Sequence, residues 1–251
     1  MEQKLELWQR FCDRYMSDNL GIPLFSVNNN GIVEIKEYGQ NQRLILKRSE
    51  EMEILLISEV EKVLNDFYEE TKTYDGLIYM MYKFNNDLVT PLYIGKSEKY
   101  GKSNNLSANI KGIGQDKKDR SKFCRWGDNY AYHFGDLSAV VCFGHPEKEI
   151  RRKYQKWADN LFEFYPTNEP KLKEDIYFWI HAWQPQNIGI FPEFGDTLVT
   201  ALEYQLISVA ATIFSDSLLN EEGVNRRKQY IWFILFHLYS SLLSQQMIHR
   251  L

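Results

Sequence analysis

Two tyrosines, Tyr79 and Tyr93, stand near the ends of two short apolar runs within Gly76–Ser97. A polar Asn-Asn-Asp triplet lies between the runs and supplies turn residues, so the segment predicts a β-hairpin. Side chains alternate across a strand, and this places Tyr93 on one face with Pro91 and Gly95. Two phenols that meet in such a hairpin could do chemistry together, whereas separately each is an ordinary core tyrosine of the kind that strands favour. The sequence does not fix the register of the two strands, which decides between these two interpretations.

A basic stretch follows the hairpin directly. A charge run is most often a solvated surface. A surface that binds a polyanion is the second interpretation, because Lys and Arg contacts to phosphate dominate the affinity of proteins for nucleic acids. The cations of the stretch are Lys102, Lys111, Lys117, Lys118, Arg120, Lys122 and Arg125.

Glu203 lies within an apolar pattern at helical spacing, in "TALEYQLISVA". A carboxylate beside such a stripe lies at or near the buried face of its helix. Burying a charge is costly unless it is paired or binds a metal ion. A boundary glutamate in a salt bridge and a metal ligand are therefore the two interpretations of Glu203.

The order of helices and strands expected along the chain predicts a mixed α+β fold, in which helices pack on a small antiparallel sheet. These elements must position the residues named above. Asp196 or Thr197 is the expected N-cap of the helix that carries Glu203. We predict helices over 1–20, 50–71, 146–165, 196–214 and 229–246, a hairpin over 31–48, and strands over 137–143 and 174–185.

Composition limits the class of protein. The chain has 251 residues and a formal net charge of −4, which does not itself suggest a nucleic-acid binder. Its three cysteines show no paired spacing, which fits a reducing, cytoplasmic compartment. The charged N-terminus predicts no secretory signal, and the apolar window 230–243 is shorter than the ~20 residues that span a bilayer. No motif for a nucleotide cofactor is present.

Four features together resemble the GIY-YIG nuclease superfamily. Gly76-Leu77-Ile78-Tyr79 matches the first signature with one additional residue, and Tyr93-Ile94-Gly95 matches the second and is followed by Lys96. The family places a glutamate on a later helix, where this chain has Glu203, and an asparagine in the loop that follows, where it has Asn220 or Asn225. The resemblance implies a three-stranded antiparallel sheet flanked by helices.

The resemblance also implies roles for these residues. Glu203 would hold one divalent cation, Mg²⁺, which binds proteins through one or two carboxylates plus waters and substrate phosphate. Tyr79, assisted by Lys96, would orient the attacking water or accept its proton, although a phenol ordinarily has a pKa of about 10. Tyr93 would hydrogen-bond the water or the phosphate.

Other residues would complete such a site. Arg125, or alternatively Arg120, would clamp the phosphate through its planar fork, with His133 as a helper, and Asn220 would brace the site. The residues expected to contact DNA are Lys111, Lys117, Lys118, Arg120 and Lys122.

The first functional interpretation is therefore a metal-dependent DNA endonuclease, restriction-like on double-stranded DNA. We expect residues 1–72 to serve recognition or dimerisation, 73–227 to form the nuclease core, and 228–251 to add a helix. Cutting two strands with one site per chain favours a homodimer. The alternatives are a catalytically weak nucleic-acid-binding module, a structure-specific repair nuclease, and an unrelated α+β protein.

Overall fold

The structure is a computed structural model and describes residues 2–38, 41–108, 110, 133–147 and 150–221. The helix predicted over 229–246 lies outside these ranges. No helix in the described ranges is long and apolar enough to cross a bilayer. The elements are α1 (Glu2–Tyr15), β1 (Ile35–Tyr38), β2 (Arg43–Leu46), α2 (Glu50–Tyr68), β3 (Gly76–Asn85), β4 (Leu88–Glu98), α3 (His133–Val141), α4 (Arg152–Leu161), β5 (Tyr177–Trp183) and α5 (Val199–Ile213).

The main sheet has three antiparallel strands in the order β4-β3-β5, and β1 and β2 form a separate hairpin. This confirms the predicted α+β class and the small antiparallel sheet flanked by helices. The turn between β3 and β4 places Asn86 and Asp87 at φ values of 51° and 61°. Positive φ at both central residues is the type I′ hairpin turn, and Asn and Asp tolerate positive φ better than most side chains.

Each face of the sheet packs against its own helices. We call the face that carries Leu77, Tyr79 and Met81 the tyrosine face; its core includes side chains from α2, α3 and α4. The other face carries Ile78 and Met80 and packs against α1 and α5. Burying one large apolar side chain contributes about 1.5–3 kcal/mol, so these two clusters fix the sheet between its helices.

Two predictions about the helices are wrong. Residues 137–141 belong to α3 rather than to a strand, and Cys142 and Phe143 follow the helix. Ser138 is fully buried, and its hydroxyl accepts a hydrogen bond from the Leu46 amide at 3.0 Å. A short apolar run cannot be assigned to strand or helix by periodicity alone. In α5, neither Asp196 nor Thr197 is the N-cap. The amide of Val199 donates instead to a carboxylate oxygen of Asp75, at 2.7 Å, from just before β3.

A buried ion pair joins α2 to the end of the hairpin. Asp66 and Lys99 contact each other with side chains only 2% and 3% exposed. Asp66 also accepts hydrogen bonds from the Thr71 hydroxyl and from the amides of Thr73 and Tyr74. Burial acts to raise the pKa of Asp66, but the hydrogen bonds from Lys99, Thr71 and the two amides outweigh it and lower the pKa to about 2. The ionised pair therefore stabilises the fold at neutral pH.

We expect Asp66→Asn to lower the free energy of unfolding at pH 7 by about 3–5 kcal/mol, because it leaves the Lys99 charge buried without its partner. The pKa of Asp66 is lowered in the folded state, so its contribution is present above the ordinary value of 3.8 and is lost as pH falls toward 2. Urea unfolding between pH 7 and pH 3 measures both effects. Glu34→Gln, which breaks an exposed pair with Lys47, is the control and should change little. Equal midpoints for Asp66→Asn and wild type would contradict this role.

Candidate functional site

An extra residue in β4 decides where the second tyrosine lies. The register of the hairpin shifts between Met81 and Tyr82, and Leu92 is left out of the pairing. A β-bulge of this kind re-aims the side chains that follow it. Tyr93, opposite Met81, consequently lies on the tyrosine face, whereas Pro91, opposite Tyr82, lies on the other face. The prediction that these two residues share a face is therefore wrong.

The two tyrosines meet across a glycine. The ring centroids of Tyr79 and Tyr93 are 6.2 Å apart, with planes inclined by 37°. Gly95 is opposite Tyr79 in the register, and a Cβ added there would lie 2.5 Å from both Cζ and Oη of Tyr79. The phenol thus crosses directly over β4. Gly76 is similarly confined, since its added Cβ would collide with the carbonyl oxygen of Ser97.

The tyrosine pair differs in exposure. Tyr79 is 5% exposed and also packs against Phe178, with ring centroids 6.2 Å apart. Tyr93 is half-buried, and its ring centroid lies 4.9 Å from that of Trp157 on α4. Of the two phenols, Tyr93 is therefore the more accessible to a ligand. The hydroxyl of Tyr79 lies over Gly95.

Lys96 is not brought to Tyr79. It lies opposite Ile78, on the other face of the sheet, and its Nζ is 2.7 Å from Oε1 of Glu98. The Thr200 hydroxyl donates to the same oxygen at 2.5 Å. Hydrogen bonds from Lys96 and Thr200 lower the pKa of Glu98, so this carboxylate stays ionised and ties β4 to the first turn of α5.

Glu203 lies one turn beyond Thr200 and is half-buried. Its neighbours Leu202 and Leu206 pack into the core of the face opposite the tyrosines, so α5 reaches β4 from that side. Within the described ranges, no three His, Cys, Asp or Glu side chains are grouped to hold a metal ion. A single half-buried carboxylate nevertheless fits a magnesium ion that keeps most of its waters and takes a phosphate oxygen as a further ligand.

Asn220 binds the free edge of β4. Its Oδ1 accepts from the Ile94 amide at 3.0 Å, and its Nδ2 donates to the Ile94 carbonyl at 2.8 Å. Just before it, the Leu219 amide donates to the Leu92 carbonyl at 2.7 Å. The amide side chain thus acts as one residue of a fourth strand and holds the middle of Tyr93-Ile94-Gly95 in place.

The remaining predicted residues cannot be placed. His133 begins α3, but its side chain is outside the described part of the chain. The phosphate clamp, the alternative asparagine and the expected DNA contacts also lie outside it: Arg125, Arg120, Asn225, Lys111, Lys117, Lys118 and Lys122.

Sequence reasoning missed a group on α3 and α4 that surrounds Tyr93. Tyr154, Trp157 and Lys153 come from α4, and Asp136 comes from α3. Burial raises the pKa of the Tyr154 phenol, and the neighbouring Asp136 charge raises it further. Lys153, Tyr154 and Trp157 recur at helical spacing in the sequence, so the face that they share was a detectable signal.

We expect Gly95→Ala to displace the Tyr79 ring and to lower the free energy of unfolding by about 1–3 kcal/mol, because the new methyl group overpacks the site. Urea unfolding and the near-ultraviolet circular dichroism of the tyrosines measure the two effects. Gly101→Ala is the comparison and should cost less, since its added Cβ would lie 3.3 Å from the Cα of Ser107, a tight contact but not a collision. An unchanged spectrum and midpoint for Gly95→Ala would show that the ring does not cross the strand there.

We expect Asn220→Ala to expose the Ile94 amide to exchange and to lower the free energy of unfolding by about 1–3 kcal/mol, because both backbone groups lose their partner. Hydrogen exchange at Ile94, followed by NMR, is the direct measurement. Asn160→Ala removes an exposed amide side chain and should leave that exchange unchanged. Equal Ile94 protection in wild type and Asn220→Ala would rule out the edge contact.

Comparisons with protein-family models, with curated proteins and with solved structures find no match to this chain. The resemblance to the GIY-YIG nucleases thus rests on the two signatures, Glu203 and Asn220. What the protein does has to be inferred from the hairpin and from the residues that the fold gathers around it.

Proposed function

We propose that this chain is a Mg²⁺-dependent DNA endonuclease of the GIY-YIG type. The observation that carries the proposal is the contact of Tyr79 with Tyr93 on one face of the sheet, with the phenol of Tyr79 lying over Gly95. The three-stranded antiparallel sheet, with Glu203 on a later helix, also agrees with what the resemblance implies. Asn220 supports it from the edge of β4.

The reaction is hydrolysis of a phosphodiester. A water oxygen bonds to phosphorus, the bond from phosphorus to one sugar oxygen breaks, and that oxygen takes up a proton. In the proposal Tyr79 orients the water or accepts its proton, Tyr93 hydrogen-bonds the phosphate, and Arg125 clamps it. Mg²⁺ held by Glu203 would supply positive charge to the leaving oxygen.

The substrate reaches this site along β4 in the proposal. Tyr93 is half-buried on the tyrosine face, and Glu203 is half-buried on a helix that packs beside the same strand. The phosphate would lie on the tyrosine face of β4, next to the edge that Leu219 and Asn220 cover. A restriction-like enzyme that acts as a homodimer on duplex DNA is the form we favour, since one site per chain must cut two strands.

A nucleic-acid-binding module that cuts weakly is the second candidate. Two observations favour it: Tyr79 is only 5% exposed, and Lys96 forms its ion pair with Glu98 on the face away from the tyrosines. Lys96, the cation that the resemblance places beside Tyr79, therefore does not assist it. In this candidate Tyr79 would orient water rather than accept a proton.

Plasmid cleavage with Mg²⁺ tests the proposal. We expect the wild type to cut, Glu203→Gln to bind DNA without cutting, and Tyr79→Phe to cut at least about a hundredfold more slowly, because it lacks the hydroxyl that handles the water. The controls are Glu193→Gln and Tyr204→Phe, which change exposed side chains close in sequence to Glu203 and should leave the rate unchanged.

Each outcome distinguishes the candidates. Cutting that survives Glu203→Gln would overturn the metal assignment, and cutting that survives Tyr79→Phe would overturn the role of the phenol. Binding without cutting by the wild type would favour the binding module. No binding to duplex DNA, single-stranded DNA or RNA at low salt would leave the unrelated α+β protein.

A further inference from the structure

A lysine on α4 lies against Tyr93, the more exposed tyrosine of the pair. Nζ of Lys153 is 5.3 Å from the ring centroid of Tyr93, and 5.6 Å from those of Tyr154 and Trp157. These three rings also contact one another, with centroids 4.9 Å apart for Tyr93 and Trp157 and 5.3 Å for Tyr154 and Trp157. One ammonium is therefore held within cation–π distance of three aromatic rings.

Buried side chains hold the rings around this ammonium in place. Tyr154 and Trp157 are 5% and 1% exposed, and the Tyr154 side chain is hydrogen-bonded to Asp136, itself 5% exposed. Nε of Arg151 lies 3.8 Å from Oδ1 of Asp136. Lys153 thus lies against aromatic rings that buried partners hold in place.

The surrounding helix is positively charged. Four of the six residues over 151–156 are basic; Arg151 lies near Asp136, and Lys156 pairs with Glu221 at 3.2 Å. A half-buried ammonium next to a half-buried phenol, on a basic helix, suits an anion with several oxygens, such as a phosphate of a nucleic-acid backbone.

We propose that Lys153 binds a backbone phosphate of DNA at the tyrosine face. This inference rests on the proposed function and deepens it. It adds a positive charge from α4 to the site, whereas Lys96, which the resemblance gave as the helper of Tyr79, lies on the opposite face. Tyr93 and Lys153 then hold the same phosphate, the phenol by a hydrogen bond and the ammonium as a point charge.

Binding of a short fluorescent DNA duplex, with Ca²⁺ in place of Mg²⁺ and over a series of NaCl concentrations, tests the assignment. Lys153→Met keeps the aliphatic stem against the rings and removes only the charge. We expect several-fold weaker binding, and a slope of log affinity against log salt that is reduced by about 0.9, the value for one phosphate contact. Lys153→Arg should restore the slope.

Lys4→Met is the matched control. It removes one charge from α1, which packs on the opposite face, where Lys4 donates to Thr212 at 3.2 Å. We expect its salt slope to equal that of the wild type. A purely structural role for Lys153 would lower the unfolding midpoint without changing the salt slope, and that result would overturn the assignment.

The same variants in the Mg²⁺ cleavage assay separate this inference from the proposed function. If the wild type cuts and Lys153→Met binds and cuts equally well, Lys153 is not the phosphate ligand although the nuclease proposal stands. If the wild type binds DNA without cutting it, and Lys153→Met reduces the salt slope, the phosphate site at Lys153 is supported and the nuclease proposal is wrong. If the wild type binds no nucleic acid, both fail.

Discussion

The one-residue bulge at Leu92 is the constraint on which the arrangement of the site depends. Because side chains alternate, one extra residue in β4 moves every later side chain to the other face. It brings Tyr93 and Gly95 to the side of Tyr79, and it sends Lys96 to the other side. Without the bulge, the two phenols would lie on opposite faces and no shared site would exist.

The same strand is held in place from several directions. Asn220 satisfies both backbone groups of Ile94 at the outer edge of β4, and Glu98 connects the strand to α5 through Thr200. At the other edge of the sheet, Glu59 accepts the Ala182 amide of β5 at 2.7 Å. Polar side chains from distant segments thus cover the edges that would otherwise be open to pairing with another chain.

Local patterns in the sequence were sufficient for most elements and insufficient for the contacts between them. The amphipathic pattern of α2 and the Asn-Asn-Asp turn follow from neighbouring residues, and both predictions are confirmed. The group that caps α5 is the carboxylate of Asp75, which accepts the Val199 amide from 124 positions earlier in the chain. A pattern of neighbouring residues cannot predict such a cap. The bulge decides on which face of the sheet Tyr93 and Lys96 lie, and the sequence pattern does not show the bulge. The sequence also does not indicate Lys153, because the rings that surround it come together only in the folded protein.

The central claim is that the tyrosine face, and not the opposite one, binds nucleic acid. NMR of the protein with ¹³C-labelled tyrosine rings, titrated with a short DNA duplex in Ca²⁺, tests this claim most directly. Tyr82 and Tyr177, whose ring centroids are 5.7 Å apart on the opposite face, serve as internal references. Our account predicts saturable shifts for Tyr79 and Tyr93 while the reference signals stay in place. Shifts confined to Tyr82 and Tyr177, or no tyrosine shifts despite binding, would contradict it.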